Sequence, residues 1–150
     1  MPDIVISDGT WSITPPEGKS ITLGGLELVK KTITVARAAF TDGGSTAGTY
    51  LTGIVIPAGA TFLYSAIRAV TGFAGDTSAV LTIGDGSDVD RYNTGTPNVF
   101  ATAANGVDAG VPSGVKYHTA EKEVKLTITS GADFTNVSAG SVTIDLVYLK

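Results

Sequence analysis

The sequence predicts an all-β fold, a jelly-roll-like β-sandwich or barrel of about eight strands with an extended N-terminal arm. Short apolar runs, or apolar and polar residues in alternation, recur along the chain, and no 3.6-residue pattern extends beyond about two turns. Turn residues separate these runs at the spacing typical of sandwiches and barrels. The chain has 150 residues, 19 of them Gly and 21 Thr, a length that matches one domain with a full core.

The strands are predicted in chain order. Residues 32–40 are rich in β-branched side chains and end at the turn residues 42–45. Residues 50–56 end at Pro57 and Gly59, because proline removes a ladder donor and glycine permits a positive φ. Further strands are predicted at 60–70, 79–83, 99–100, 115–119, 124–128 and 141–148.

The last two predicted strands show the clearest alternation. Val142, Ile144, Leu146 and Tyr148 alternate with more polar residues, which is typical of a strand with one face in the core. Residues 124–128 alternate in the same way, and turn chemistry at 131–133 separates the two segments. The pattern allows these two strands to pair.

The first thirty residues differ from the rest, and we divide the chain into an arm, 1–30, and a β-sandwich body, 31–150. The arm contains apolar patches at 4–6, 11–13 and 21–23, which are too short for a core and too apolar for a disordered tail. Such an arm lies along its own sheet, or along a neighbouring subunit or partner by strand addition, and both arrangements stay open. The predicted contact residues are Ile4, Val5, Ile6, Trp11 and Ile13.

Composition argues against most enzyme chemistry. The absence of Cys excludes disulfides, thiolate zinc sites and Cys nucleophiles, and a single histidine excludes a multi-His metal site. No G-x-S-x-G elbow accompanies His118, which we expect on the surface or at an interface. We therefore predict no enzymatic activity and no cofactor.

Charge and hydropathy indicate the kind of partner. Ten Lys and Arg oppose fourteen Asp and Glu, a net charge of −4, and the longest basic run is Lys30-Lys31. Nucleic acid and anionic membranes are therefore unfavourable partners. No apolar run approaches the roughly 20 residues of a membrane helix, and the N-terminus lacks a signal-peptide pattern, so we expect synthesis in a cytoplasm.

An acidic loop follows the strand at 79–83. Asp85, Asp88 and Asp90 place three carboxylates within six residues, and calcium prefers several oxygen ligands on a flexible loop. The EF-hand spacing fails, because Thr96 stands at the twelfth position counted from Asp85. The favoured interpretation is a turn capped by Asp85 and Asp88, with Asp90 paired with Arg91 or another base. A weak surface cation site on the three aspartates is the alternative.

Three stretches, VIPAGA at 55–60, LTIGDGSDVDRY at 81–92 and VTIDLVYL at 142–149, resemble small structural proteins of tailed bacteriophages. The resemblance covers residues 31–150, and size and architecture fit head decoration, or cement, proteins best. It implies a β-sandwich made in the bacterial cytoplasm, usually a homotrimer, on the outer capsid surface of the virion, where it clamps adjacent subunits of the major capsid protein. The alternative is a tail-fibre or receptor- or glycan-binding domain, with a ligand site on distal loops such as 91–113.

Overall fold

The computed structural model describes residues 25–93, 95, 99–100 and 116–150, together with the backbone of four strands at 3–7, 10–14, 20–23 and 107–110. Two 3-10 turns, Arg37–Ala39 and Phe134–Asn136, lie between strands. No helix in these ranges is long and apolar enough to cross a membrane. The strands are β1 (Asp3–Ser7), β2 (Thr10–Thr14), β3 (Ser20–Leu23), β4 (Leu26–Ala36), β5 (Thr41–Asp42), β6 (Ala47–Ile56), β7 (Thr61–Ala74), β8 (Ala79–Gly84), β9 (Val107–Gly110), β10 (Lys122–Ser130) and β11 (Ala139–Leu149).

Two antiparallel sheets form the sandwich, in the orders β3-β4-β11-β7-β9 and β5-β6-β10-β8, and β1 and β2 form a separate two-stranded sheet. The pairing is nested: β4 pairs with β11, β6 with β10 and β7 with β9, so early strands pair with late ones. A long antiparallel hairpin rolled into two layers gives this pattern, which is that of a jelly roll. The predicted all-β fold class is confirmed.

Strand pairing differs from one arrangement that the sequence allowed. β10 lies between β6 and β8, whereas β11 lies between β4 and β7 in the other sheet. The 3-10 turn Phe134–Asn136 lies on the connection between them, where Asp133 caps it by accepting a hydrogen bond from the Thr135 backbone (2.9 Å). Alternation fixes which side of a strand is buried, but it does not choose the neighbouring strand.

The core lies between the two sandwich sheets and contains the side chains that alternation predicted. In β10, Val124, Leu126 and Ile128 are fully buried. In β11 the apolar residues at 142, 144, 146 and 148 are at most 4% exposed. The predicted inward faces of both strands are therefore confirmed.

An aromatic cluster closes one end of this core. The ring of Phe40 lies 6.2 Å from Phe73 in edge-to-face geometry and 6.2 Å from Phe134. Arg37 lies over the Phe134 ring at 4.3 Å and donates hydrogen bonds to the carbonyls of Val137 and Phe134. The cluster ties the turn after β4 to the crossing between β10 and β11.

The sandwich begins before residue 31. β3 pairs with the start of β4, from Leu23 opposite Leu26 to Ser20 opposite Val29, and so forms an edge of the five-stranded sheet. The part of the predicted arm that forms a sheet of its own is β1 with β2. The division into arm and body stays a prediction. Because β3 pairs with β4, a truncation that is meant to leave the sandwich intact must end before β3.

Gly48 on β6 tests the packing of the aromatic cluster. A Cβ at Gly48 would lie 2.1 Å from the ring of Phe134, which is fully buried and held by Phe40 and Arg37. We expect Gly48→Ala to lower the free energy of unfolding by about 1–3 kcal/mol, measured by urea denaturation. Gly86 is the control, because a Cβ there has no neighbour within 4 Å, and Gly86→Ala should stay within about 0.5 kcal/mol of the parent. Equal stabilities would contradict the packing described.

Candidate functional site

The acidic loop folds around the carboxylate of Asp85, directly after the end of β8. Its Oδ1 accepts hydrogen bonds from the backbone N–H groups of Ser87 (2.7 Å) and Asp88 (2.8 Å) and from the Ser87 hydroxyl (2.8 Å). The Asp85 N–H donates to the Asp88 carbonyl at 2.8 Å. Asp85 therefore organises a tight turn, the role that the sequence favoured for it.

Arg91 completes the loop by pairing with the same carboxylate. Its Nε donates to Oδ2 of Asp85 at 2.5 Å, and its Nη2 lies 3.9 Å from a carboxylate oxygen of Asp88. The Asp85 side chain is 1% exposed, so this is an ion pair withdrawn from water. The sequence predicts that Asp90 pairs with Arg91 or another base, whereas the carboxylate held by the Arg91 Nε is that of Asp85.

The acidic residues of the loop differ in their preference for charge. Burial alone raises the pKa of Asp85, but the hydrogen bonds from Ser87, Arg91 and Asp88 outweigh it and leave that pKa below its ordinary value. The pKa of Asp90 is raised, because a hydrogen bond with the Asp88 carboxyl favours the protonated form. The loop thus contains one carboxyl group whose pKa is lowered, that of Asp85, and one whose pKa is raised, that of Asp90.

The cation-site interpretation used Asp85, Asp88 and Asp90 as ligands. Both oxygens of Asp85 already accept hydrogen bonds within the loop. Within the part of the chain that the structure describes, no group of three or more His, Asp or Glu is arranged to hold a metal ion. The contacts account for a turn, and cation binding by these three residues stays a prediction.

A pocket of about 390 Å³ opens beside the loop and is lined by Arg91, Tyr117, His118, Thr119, Ala120 and Lys122. Tyr117 and His118 lie on opposite sides of their segment, and the predicted surface position of His118 is wrong, whereas its place at an interface stays a prediction. Tyr117 is 54% exposed and His118 only 5%. The ring of His118 stacks on that of Tyr92 with a centroid distance of 5.7 Å and an interplanar angle of 19°.

The wall of the pocket is fixed by backbone pairing with the turn after β6. The His118 N–H donates to the Ala60 carbonyl (2.8 Å) and the His118 carbonyl accepts from the Gly59 N–H (2.7 Å), while the Phe62 N–H donates to the Lys116 carbonyl (2.9 Å). Residues from two of the stretches that carry the family resemblance, the PAGA turn and the DRY segment, therefore meet at His118. Burial and the charge of Arg91 lower the pKa of this histidine, so the neutral imidazole is favoured.

The predicted arm contacts fall on the separate hairpin formed by β1 and β2. Its register pairs Ile4 with Ile13, Val5 with Ser12 and Ile6 with Trp11. Four of the five predicted contact residues therefore form two cross-strand pairs of one short ribbon. Their side chains lie outside the described residues.

Comparisons with known proteins do not assign this chain to a family. No family model matches the chain, and no curated protein is similar to it. Among solved structures, one similar chain belongs to the "Cyanophage Pam1 capsid asymmetric unit", with 17% identity and a TM-score of 0.43, covering 97% of this chain and 96% of that chain. A similarity at this level assigns no function.

Asp85→Asn tests the buried ion pair. At pH 7 we expect it to lower the free energy of unfolding by about 3 kcal/mol, because Arg91 loses its charged partner. Folding lowers the pKa of Asp85, so the parent's extra stability is fully present above the unfolded pKa of about 3.9 and is lost as the pH falls through the folded value. The unfolding curves of parent and variant should therefore converge on acidification.

The control for this variant is Asp42→Asn, which makes the same charge change at an exposed turn, where Asp42 accepts a hydrogen bond from Gly44 N–H (2.8 Å). It should change stability by less than about 1 kcal/mol at pH 7. A stability difference for Asp85→Asn that is unchanged from pH 7 to low pH would contradict the assigned ionisation.

Proposed function

We propose that this chain is a phage virion structural protein that binds the outer surface of the capsid shell and stabilises the mature head by clamping adjacent major capsid subunits. The role is mechanical and not enzymatic. A protein that binds the mature lattice and not its precursor stabilises that lattice by mass action. Contacts with two or more subunits raise the effective affinity further.

The separate β1-β2 hairpin is the observation on which the proposal rests. It pairs strand to strand within itself, while the sandwich sheets are built from β3 to β11. A two-stranded ribbon is marginally stable in water and gains stability by joining or packing on a further sheet. A capsid subunit offers such a surface, and strand addition is the mode of contact that an extended apolar ribbon favours.

The base of the arm extends this contact surface onto the body. Leu26, at the start of β4, is 55% exposed although it is a large apolar residue. Glu27 beside it is held by Lys150, through reciprocal backbone hydrogen bonds of 2.7 and 3.0 Å and an ion pair of 3.1 Å. The start of β4, which pairs with β3, is thus fixed to the body, and this suits a clasp that transmits load through β3.

The resemblance to decoration proteins supports the same role. Its quoted stretches fold as the turn after β6, the acidic loop and the closing strand β11, all of them parts of the jelly roll. The net charge of −4 disfavours contact with packaged DNA. The proposed partners are therefore the major capsid protein and further copies of this chain.

Deleting residues 1–14 tests the clasp and leaves β3 and β4 in place. The truncated chain should melt cooperatively at nearly the parent temperature but should no longer co-sediment with mature, emptied capsids. Leu51→Asn is the matched control, because Leu51 is 58% exposed on β6 of the other sheet and should not affect capsid binding. Undiminished binding by the truncated protein would overturn the proposed clasp.

The proposed homotrimer is tested separately by sedimentation equilibrium of the full chain. We expect a mass three times that of one chain, independent of capsid. A monomer over the concentration range used for capsid binding would contradict the trimer and leave the arm to be tested by the truncation.

A receptor- or glycan-binding domain of a tail fibre is the second candidate, favoured by the pocket beside the loop that starts at Arg91. The two functions differ in their partner. A decoration protein co-sediments with capsids, whereas a fibre domain binds host cells. Binding to host cells with no affinity for capsids would replace the first proposal by the second.

A further inference from the structure

The pocket next to His118 has a lining that is rich in hydrogen-bond donors. Arg91 and Lys122 contribute cationic groups, and Thr119 and Tyr117 contribute hydroxyls. None of the six lining residues is acidic. A ligand with hydrogen-bond acceptors, and with negative charge in particular, matches this lining.

A second observation also points to a ligand. His118 is 95% buried, since only 5% of it is exposed, and its Nε2 has no hydrogen-bond partner among the described residues. The hydroxyl of Tyr92, on the ring stacked against it, is likewise buried and unpartnered there. Buried polar atoms are nearly always paired in native proteins, so the unpaired imidazole nitrogen of a residue that lines the pocket indicates that a partner is missing.

The side chains of Arg91 and Lys122 are held in place by neighbouring residues, but they keep hydrogen-bond donors for a ligand. Arg91 is held through its Nε by Asp85, which leaves most of its terminal N–H groups available, with only a long 3.9 Å approach to Asp88. Lys122 Nζ makes a 3.5 Å hydrogen bond to the Ser87 hydroxyl. A guanidinium held at one end and an ammonium on the adjoining strand together suit a planar, two-oxygen anion.

We propose that this pocket binds a small carboxylate, held between Arg91 and Lys122 beside the imidazole of His118. The volume of about 390 Å³ lies at the small end of ligand pockets, enough for one sugar acid or one acidic side chain. The exposed ring of Tyr117 provides a flat wall for the uncharged part of the ligand. A sugar acid and an acidic side chain of a protein both supply the carboxylate that this site would bind. The proposal is independent of whether the arm binds a capsid.

The single histidine of the chain makes the test unambiguous, because the imidazole signals in an NMR spectrum of the full protein belong to His118 alone. Glucuronate and the N-acetyl amide of glutamate are titrated at constant ionic strength, with glucose as the uncharged control and phosphate as the competing anion. We expect a saturable shift of the His118 signals with at least one carboxylate and none with glucose. Saturation by glucuronate only identifies a sugar acid, and saturation by the glutamate compound only identifies a peptide side chain.

Lys122→Gln should weaken carboxylate binding by about 10-fold, the effect of losing one charge-assisted hydrogen bond. Lys125→Gln makes the same change on the same strand but outside the lining residues, and it should leave the affinity unchanged. The proposal is overturned if no carboxylate gives a saturable shift, if glucose or phosphate shifts the signals as strongly, or if the two lysine variants behave alike. Each titration is preceded by a melting curve that establishes a folded protein.

Discussion

The central constraint on this fold is that β11, the last strand, occupies an interior position in its sheet. β4 lies on one side of it and β7 on the other, and its inward side chains fill the core between the two sheets. The five-stranded sheet is therefore incomplete until residues 139–149 are in place. Such non-local pairing makes the jelly roll a fold of long sequence separations, in which the early strands have no stable sheet without the late ones.

The same nesting positions the polar features. β8 lies beside β10 at the edge of its sheet, and the loop at 85–93 turns back along that edge, where the Tyr92 N–H donates to the Ile83 carbonyl (2.9 Å). Asp85 stabilises this loop by accepting hydrogen bonds from local N–H groups, and Asn93 contributes by accepting a hydrogen bond from the Ile83 N–H (3.1 Å). Arg91 and Tyr92 are thereby held against residues 117–118. The loop that runs along the edge of the sheet therefore also forms one side of the pocket.

A second buried carboxylate shows how the outer side of the other sheet is organised. Asp145 on β11 is 4% exposed and accepts a hydrogen bond from Thr32 (2.6 Å) and ion pairs from Lys30 (3.2 Å) and Arg68. Burial alone raises the pKa of Asp145, but these partners outweigh it and leave that pKa below its ordinary value. One carboxylate thus links the outer sides of three adjacent strands.

Sequence patterns predicted what is local and missed what is not. Alternation identified the buried faces of β10 and β11, because a strand with one side in the core must repeat every two residues. It did not show that these strands lie in different sheets, since pairing depends on contacts far apart in sequence. The sequence does not predict the burial of His118, because the ring that stacks on it belongs to Tyr92, which is 26 residues earlier and is brought there by the loop.

The ladder between β4 and β11 also defines how the protein would carry a mechanical load. Load on the β1-β2 ribbon reaches β4 through β3, which pairs with the start of β4, and nine residue pairs, from Leu28 with Leu149 to Ala36 with Ser141, join β4 to β11. Antiparallel hydrogen bonds lie perpendicular to the strands, so a pull along β4 loads the ladder in shear and divides the force among many bonds at once. A pull across the sheet would instead open the pairs one at a time from Leu28. The direction in which a partner holds the arm therefore decides whether the attachment resists force or peels.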